Sequence, residues 1–310
     1  REISAKIDEL HEERGEAALG RVLTLLISTN ETSLEHDLAV ANNASREHPC
    51  RVIAIAPNSR RVDAAADDGK PHTFLDAEVR FGSDAGAGEI IVLRPIGGLF
   101  TTLTVSNSVV GADAPVVAWW PNEAPANLSN DLLGSMARSR ITDAMHSSNP
   151  MRTMDDLRRN WSSKNVDMSW TRLTVWRAML ASMLDQPPHL PVSGVRVTGP
   201  KNFLPLNLLA AGFVFVDVPV VVEDDPNATA VTGVYLTRSD GVLSLERHHH
   251  DGIAVLNVPG QSPQTMSVPA RTIEECLSEE LGRLYPDEIY AEVVTQGWDL
   301  INSKHESILR

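Results

Sequence analysis

Apolar residues follow two different spacings at the start of the chain. The run RVLTLLIST at residues 21–29 is almost continuously apolar and rich in β-branched side chains, and RVIAIA at residues 51–56 has the same character. Between the two runs, residues 34–41 carry apolar side chains at helical spacing. Residues 21–56 therefore predict a β-α-β unit, in which the second strand is parallel to the first.

The same patterns continue over the first 150 residues. Further strands are predicted at residues 77–81, 89–94 and 99–106. APVVAWW, at residues 114–120, is nearly continuously apolar, as expected for a strand that is covered on both faces. Residues 129–147 have helical spacing and predict one helix. We therefore expect residues 1–150 to form an N-terminal α/β domain.

The spacing of apolar residues changes after residue 150. Residues 151–186 predict helices, and Pro187 and Pro188 then interrupt the helical pattern. Short β-strands separated by turn residues are predicted at 193–199, 211–222, 228–239, 241–247 and 252–258, and helices at 272–286 and 287–304. Residues 151–310 thus predict a C-terminal α+β domain with a leading helical segment and an antiparallel sheet.

Charge and composition exclude several classes of partner. The 310 residues include 41 acidic and 27 basic side chains, for a formal net charge of −14, which disfavours binding to nucleic acid or to anionic lipid. No apolar run approaches the roughly 20 residues that a membrane-spanning helix needs. The two cysteines, Cys50 and Cys276, form neither a C-x-x-C motif nor a disulfide framework. We expect a cytoplasmic protein with no nucleic-acid or membrane partner.

A β-α-β unit raises the possibility of a bound dinucleotide, so the first strand-to-helix turn is informative. It has the sequence STNETS at residues 28–33 and contains no glycine, whereas a dinucleotide-binding turn needs glycines to let the backbone approach a pyrophosphate. The sequence also lacks the P-loop, the G-x-S-x-G nucleophile motif and the H-E-x-x-H zinc motif. We therefore predict no cofactor and no catalytic residues.

A run of three histidines is the most metal-like stretch of the chain. His248, His249, His250 and Asp251 could ligate zinc or nickel if the backbone turns sharply there, and Asp251-Gly252 suggests such a turn. Adjacent residues of a strand point to opposite faces, however, so an exposed hairpin end is the alternative. The sequence leaves both interpretations open.

Two arginines stand out in this acidic chain. Arg138 and Arg140 lie in ARSRITDA, within the helix predicted at 129–147, and a guanidinium can hold a phosphate or carboxylate in a bidentate fork. Residues two apart on a helix point in different directions, so the two side chains are not expected to converge. An internal role for Arg140, through an ion pair with Asp143 or a strand-end carbonyl, is the alternative to recognition of an anion or a partner.

Three motifs in order resemble a known family. HPCRVIAI at residues 48–55, APVVAWWP at 114–121 and ARSRITDA at 137–144 are similar to the glucose-6-phosphate dehydrogenase assembly protein family, OpcA, of actinobacteria and cyanobacteria. The resemblance covers most of the chain, although RSR stands where adjacent arginines are expected. It implies a non-catalytic protein that associates with glucose-6-phosphate dehydrogenase, in the oxidative pentose phosphate pathway, and promotes its assembly or active state.

The resemblance suggests a role for the paired tryptophans. We expect Trp119, Trp120 and Pro121, with Arg138 and Arg140, to contribute to the partner interface, because tryptophan is prominent among interface hot spots. Since neighbours on a strand face opposite ways, one tryptophan is expected to enter the core while the other projects elsewhere. Internal packing of both is the alternative. The rival function is a phosphosugar- or nucleotide-binding α/β enzyme or sensor that uses STNETS and Arg140.

Overall fold

Two β-sheets organise the part of the chain that the computed structural model describes. The described residues are 23–57, 74–80, 88–96, 114–185, 187–213, 215, 217–247 and 252–301. One sheet has seven strands and the other has six. The predicted strand at residues 99–106 and the run from His248 to Asp251 lie outside the described residues.

The first sheet is mostly parallel and has helices beside it. Its strands are β1 (Leu23–Ser28), β2 (Cys50–Ile55), β3 (Phe74–Arg80), β4 (Glu89–Ile96), β5 (Val116–Trp120), β6 (Ser139–Thr142) and β7 (Asn165–Asp167), and its first two helices are α1 (Leu34–Ala44) and α2 (Leu132–Met136). Strand β1 is parallel to β2 and to β5, so the predicted β-α-β unit is confirmed. Strands β4 and β6 continue the parallel arrangement, and β3 is antiparallel at one edge.

The strand order of this sheet is that of a dinucleotide-binding fold. The order is β3-β4-β2-β1-β5-β6-β7. Without the antiparallel edge strand β3, the remaining six strands follow the order 3-2-1-4-5-6 of doubly wound sheets, and that order reverses between β1 and β5. Ligands of such sheets bind at the carboxyl ends of the strands beside this switch point.

Both faces of the first sheet are covered. Leu25, Leu26 and Ile27 are consecutive in β1 and all have no exposed surface, and every residue of β5 is buried. Consecutive residues of a strand point to opposite faces, so burial of all of them requires packing on each side. The continuously apolar sequence of β5 therefore correctly predicted a strand that is covered on both faces.

Residues 129–147 do not form one helix, contrary to the sequence prediction. Helix α2 spans only one turn and begins at Asp131, whose side chain accepts hydrogen bonds from the backbone N–H groups of Leu133 and Gly134. Strand β6 follows, and a 3₁₀ turn spans Ala144–His146. Pairing with β5 gives the backbone N–H and C=O groups of β6 hydrogen-bond partners, and all four residues of β6 are buried. These two effects outweigh the local preference for helix.

The second sheet is mostly antiparallel. Its strands are β8 (Val192–Gly199), β9 (Val220–Asp224), β10 (Gly233–Arg238), β11 (Gly241–Glu246), β12 (Ile253–Asn257) and β13 (Gln264–Ser267), in the order β13-β12-β11-β10-β8-β9. All neighbouring pairs are antiparallel except β8 and β9, which are parallel. The α/β class, with a mostly parallel sheet followed by a mostly antiparallel one, is as the sequence predicted.

One predicted strand of this region was too long. Residues 211–213 belong to a helix, and β9 begins only at Val220. The remaining helices are α3 (Pro150–Arg159), α4 (Met168–Thr171), α5 (Thr174–Leu184), α6 (Leu204–Phe213), α7 (Ile273–Gly282) and α8 (Glu288–Glu292), with a π-helical turn at Val293–Gly297. Helix α6 is apolar almost all round, and an apolar run of that kind cannot be distinguished from a buried strand by periodicity alone.

The chain divides into two compact units. Among the described residues, the first unit comprises those up to Asn149, together with Lys164–Val166 and Ile273–Pro286. The second comprises Pro150–Ser163, Asp167–Thr272 and the residues from Asp287 onward. Helix α7 therefore returns to the first unit, where it packs against α1. Within the described segments, no helix has the length and apolar character needed to cross a bilayer.

Candidate functional site

Polar side chains meet at the carboxyl edge of the first sheet. Thr29 follows β1, Asn122 follows β5 and Asp143 follows β6. These three strands are parallel, so their carboxyl ends lie at the same edge. The strand order reverses between β1 and β5. The carboxyl ends of these two strands therefore form the candidate site.

A buried carboxylate joins the ends of β1 and β5. Asp37, on α1, is 2% exposed. Its Oδ2 accepts a hydrogen bond of 2.5 Å from the Thr29 hydroxyl and one of 3.4 Å from the Asn122 amide. Burial raises the pKa of Asp37, and the hydrogen bond from Thr29 opposes that rise only in part. The carboxylate is thus held by the two strands that flank the switch point.

A histidine lies beside this group. His146 Nδ1 is 2.7 Å from Oδ2 of Asp143, which is buried, while about half of the His146 side chain is exposed. Charged His146 also lowers the pKa of Asp37, but less than the Thr29 hydrogen bond, His36 and the Asn122 hydrogen bond do. An imidazole oriented by a buried carboxylate can accept or donate a proton at its other nitrogen. Asp143 and His146 therefore add a polar pair to this edge of the sheet.

The turn between β1 and α1 is the place where a dinucleotide-binding fold holds a pyrophosphate. Here the Asn30 side chain occupies the backbone donors of the turn, because its Oδ1 accepts hydrogen bonds from the N–H groups of Thr32, at 3.0 Å, and Ser33, at 2.9 Å. Three carboxyl groups, those of Glu31, Glu35 and Asp37, lie in the turn and the first turn of α1. A pyrophosphate would meet negative charge and few available N–H groups, so these residues do not fit a dinucleotide.

Two arginines neutralise part of this acidic turn. Arg94 on β4 lies 3.1 Å from Glu31, and Arg80 on β3 lies 2.9 Å from Glu35. Both arginines also hydrogen-bond to Glu78, at 3.1 and 2.6 Å. The hydrogen bonds from Arg80 lower the pKa of Glu35 and of Glu78. These guanidinium groups hold α1 on β3 and β4.

The paired tryptophans lie inside the first unit. Trp119 and Trp120 are each 1% exposed, and Pro121 is buried as well. Both faces of the sheet are covered, so neither indole projects to solvent, and internal packing describes both. The indole N–H of Trp119 is buried and has no hydrogen-bond partner among the described residues. A contribution of these three residues to a partner interface stays a prediction.

The two arginines of the RSR motif have different environments. Arg138 is exposed in the loop before β6, and Arg140 lies on β6 with 5% of its surface exposed, so neither is on the predicted helix. The Arg140 guanidinium donates to the carbonyl of Gly134 at 2.7 Å. It also donates to the Ser129 hydroxyl at 2.9 Å and to Asn165 Oδ1 at 3.3 Å. Arg140 therefore ties α2 to β6 and β7, and burial lowers its pKa.

The HPCR motif seats α7 against the first sheet. The Glu47 carboxylate accepts a hydrogen bond of 2.8 Å from Ser278, and the His48 ring lies so close to Gly282 that a Cβ there would be 2.9 Å from it. Cys50 is buried in β2 as a free thiol, and burial raises its pKa to about 12. A thiol of this kind is protonated at neutral pH and is a poor nucleophile.

Profiles of one protein family match both halves of the chain. The glucose-6-phosphate dehydrogenase subunit N-terminal domain matches residues 41–159, and the corresponding C-terminal domain matches residues 163–294. Together the two matches span most of the chain. The chain belongs to the OpcA glucose-6-phosphate dehydrogenase subunit family. No curated protein has significant sequence similarity to it.

Two of the solved structures that match the chain are described as an oxidoreductase and a 3-ketoreductase. An oxidoreductase from Sinorhizobium meliloti has 10% sequence identity and a TM-score of 0.51, over 93% of this chain and 98% of its own. A 3-ketoreductase from Actinomadura kijaniata, in complex with TDP-benzene and NADP, has 10% identity and a TM-score of 0.49, over 92% and 97%. The likeness to the first protein indicates a shared fold.

Sequence analysis did not identify the carboxyl-edge group. One signal was present, because Asp37 lies three residues after Leu34 and four before Ala41, on the apolar face of α1. A carboxylate at such a position is buried with the face and needs a hydrogen-bond donor. Its partners Asn122 and His146 are more than 80 residues away in sequence, so only the topology of the sheet brings them close.

Proposed function

We propose that the chain is a non-catalytic assembly factor and allosteric activator of glucose-6-phosphate dehydrogenase in the oxidative pentose phosphate pathway. The observation that carries the proposal is that both halves of the chain match domains of a glucose-6-phosphate dehydrogenase subunit. A protein of this kind needs a surface complementary to its partner and no reacting groups of its own.

The strand-to-helix turn supports a non-catalytic role. Proteins of this topology that bind a dinucleotide hold its pyrophosphate at that turn, yet here Asn30 occupies the backbone donors and acidic side chains surround them. The first sheet then serves as a scaffold that positions surface residues for the dehydrogenase. Neither Cys50 nor Cys276 is part of a disulfide, which is consistent with the cytoplasmic location that we also propose.

Activation requires only a modest preference for one state of the dehydrogenase. A protein that binds the more active conformation or oligomer shifts the population towards it. A coupling free energy of about 1–3 kcal/mol changes the apparent affinity for substrate by roughly 5- to 150-fold. Ordinary contacts at a protein–protein interface can supply a coupling free energy of this size.

Of the five residues that the sequence singled out for the partner interface, Arg138 has the exposed side chain. We propose that it contacts the dehydrogenase directly, while Trp119, Trp120, Pro121 and Arg140 maintain the shape of the surface around it. Replacement of Arg138 by Glu is expected to weaken binding without affecting folding. The matched control is Arg159→Glu, since the Arg159 side chain is also exposed and lies in the second unit.

The test of the function uses purified dehydrogenase. Addition of the chain is expected to lower the half-saturating concentration of glucose 6-phosphate, and the chain alone is expected to produce no reduced nucleotide from NADP⁺ and glucose 6-phosphate. An unchanged substrate curve at saturating chain concentration would overturn the proposal.

A second candidate is a sensor or enzyme that binds a phosphosugar or nucleotide. The observation in its favour is that the Asp37 carboxylate and the Asp143–His146 pair lie at the edge where such sheets bind ligands. A thermal-shift screen without dehydrogenase distinguishes the two functions, because only the second predicts stabilisation by a sugar phosphate or nucleotide that is lost in His146→Gln.

A further inference from the structure

A buried arginine in the second unit has an unusual environment. Arg247 follows β11 and is 7% exposed. Its Nη1 donates to the carbonyl of Val268 at 2.8 Å and its Nη2 to the carbonyl of Val231 at 2.9 Å. The guanidinium carbon lies 5.4 Å from the centre of the Trp176 ring. The group is therefore fixed in place by two backbone carbonyls and an indole.

The positive charge of Arg247 lies close to few compensating groups among the residues that the structure describes. Among the described residues, no carboxylate lies within ion-pair distance of its guanidinium. Burial lowers the pKa of Arg247, which reflects the same lack of compensation. A buried charge is costly unless it is paired, and carbonyl dipoles and an aromatic face offset only part of that cost. This cation is conspicuous in a chain with a net charge of −14.

Arg247 also lines a cavity. The cavity has a volume of about 120 Å³. An engineered cavity of about 150 Å³ binds benzene, so the volume suffices for a small organic or inorganic anion. The polar residues of the wall include Asn227, Thr229 and Thr232, which lie on the loop between β9 and β10 and join the cavity to the surface. Two of the five guanidinium N–H groups are used by the carbonyls, and the guanidinium can offer further donors to a ligand.

We propose that this cavity binds a small oxyanion, the phosphoryl or carboxylate group of a metabolite, with Arg247 as the principal donor. Arginine is suited to both groups because its planar fork matches two oxygens at once. The Asp225 side chain lines the same cavity and opposes an anion, so it limits the affinity of the site. This proposal does not depend on association with the dehydrogenase.

The experiment measures thermal unfolding of the full chain with inorganic phosphate or acetate, each compared with sodium chloride at equal ionic strength. We expect the midpoint of unfolding to rise with the concentration of phosphate, of acetate or of both, beyond the effect of chloride. A response to phosphate alone identifies a phosphoryl site, and a response to acetate alone identifies a carboxylate site. No response to either anion beyond that of chloride would overturn the proposal.

Two asparagine variants make the test specific. Asp225→Asn removes the opposing charge and is expected to tighten anion binding roughly fivefold. Asp224→Asn changes the net charge by the same amount but alters an exposed residue that does not line the cavity. This variant is therefore expected to change the affinity for the anion very little. Equal effects of both variants would indicate general charge screening and contradict a site at Arg247. Arg247→Lys is expected to weaken binding at least tenfold, and the asparagine pair retains the test if that variant fails to fold.

Discussion

The two sheets of the chain use apolar residues in different ways. In the first sheet, β5 has five consecutive buried residues, because both faces of the sheet are covered. In the second sheet, the faces differ: Leu236, Leu243 and Leu245 are buried, whereas Val221, Val242 and Ile253 are about half exposed. Substitutions in the first sheet should therefore disturb folding. The same substitutions on the open face of the second sheet should have little effect on folding.

The paired tryptophans give the largest expected effect. Trp119→Ala and Trp120→Ala each remove a fully buried indole and should lower the free energy of unfolding by about 3–5 kcal/mol. Urea unfolding measures this loss, and binding of the dehydrogenase is measured on the same samples. Binding lost only in proportion to the folded fraction indicates a packing role. A much larger loss of binding by a folded variant would show that the indole contributes to the interface.

Two glycines, one in α2 of the first unit and one in β8 of the second sheet, differ in the space around their backbone. A Cβ on Gly134 would lie 1.8 Å from the carbonyl oxygen of Leu128, so Gly134→Ala forces the backbone to move and should cost about 3 kcal/mol. A Cβ on Gly194, in β8, would come no closer than 3.9 Å to another side chain. Gly194→Ala should change the free energy of unfolding by less than about 0.5 kcal/mol. Similar losses in the two variants would contradict the close approach of the Leu128 carbonyl to Gly134.

Two valines test the same contrast with identical chemistry. Val117→Ala, in β5, removes two methyl groups from a site with no exposed surface and should cost about 2 kcal/mol. Val242→Ala, in β11, removes the same atoms from a side chain that is about half exposed, so its cost should stay below about 0.5 kcal/mol. Chemical denaturation of both variants measures the difference. A loss at Val242 as large as that at Val117 would mean that the open face is covered.

The smallest expected effect concerns the carboxyl edge. Burial raises the pKa of Asp37 above the ordinary value of 3.8, so its ionisation disfavours the folded state. The protonated Asp37 side chain favours the folded state. This contribution to stability is fully present below the ordinary pKa and is lost as pH rises through the raised pKa of the folded state. Asp37→Asn retains an acceptor for Thr29 and cannot ionise. Its stability relative to the parent chain should therefore increase as pH rises above the ordinary pKa of 3.8. A pH-independent difference would show that Asp37 has an ordinary pKa.

Local patterns predicted much of the fold. The β-α-β unit, the doubly covered β5 and four strands of the second sheet, β8, β10, β11 and β12, were evident from their spacing of apolar residues. Strand β13 was not predicted, and its four residues are mostly polar and exposed. Strand β6 was mistaken for helix because its four residues are defined by pairing with β5, which no local pattern records. Helix α6 was mistaken in part for strand because its apolar surface has no clear period.

The candidate site was harder to predict than the fold. Sequence motifs identified Trp119, Trp120 and Arg140 as unusual, but their burial places them inside the first unit. The carboxyl-edge group depends on contacts between Asp37 and residues that follow other strands. Arg247 appeared in the sequence only as a neighbour of three histidines, and its cavity is defined by a loop that precedes it by some 15 residues.

The most direct test of the account is the sedimentation of a mixture of this chain and glucose-6-phosphate dehydrogenase. The account predicts a species heavier than the dehydrogenase alone that contains both proteins, with a lower half-saturating substrate concentration in the same fraction. Separate sedimentation of the two proteins at micromolar concentrations, with an unchanged substrate curve, would contradict it.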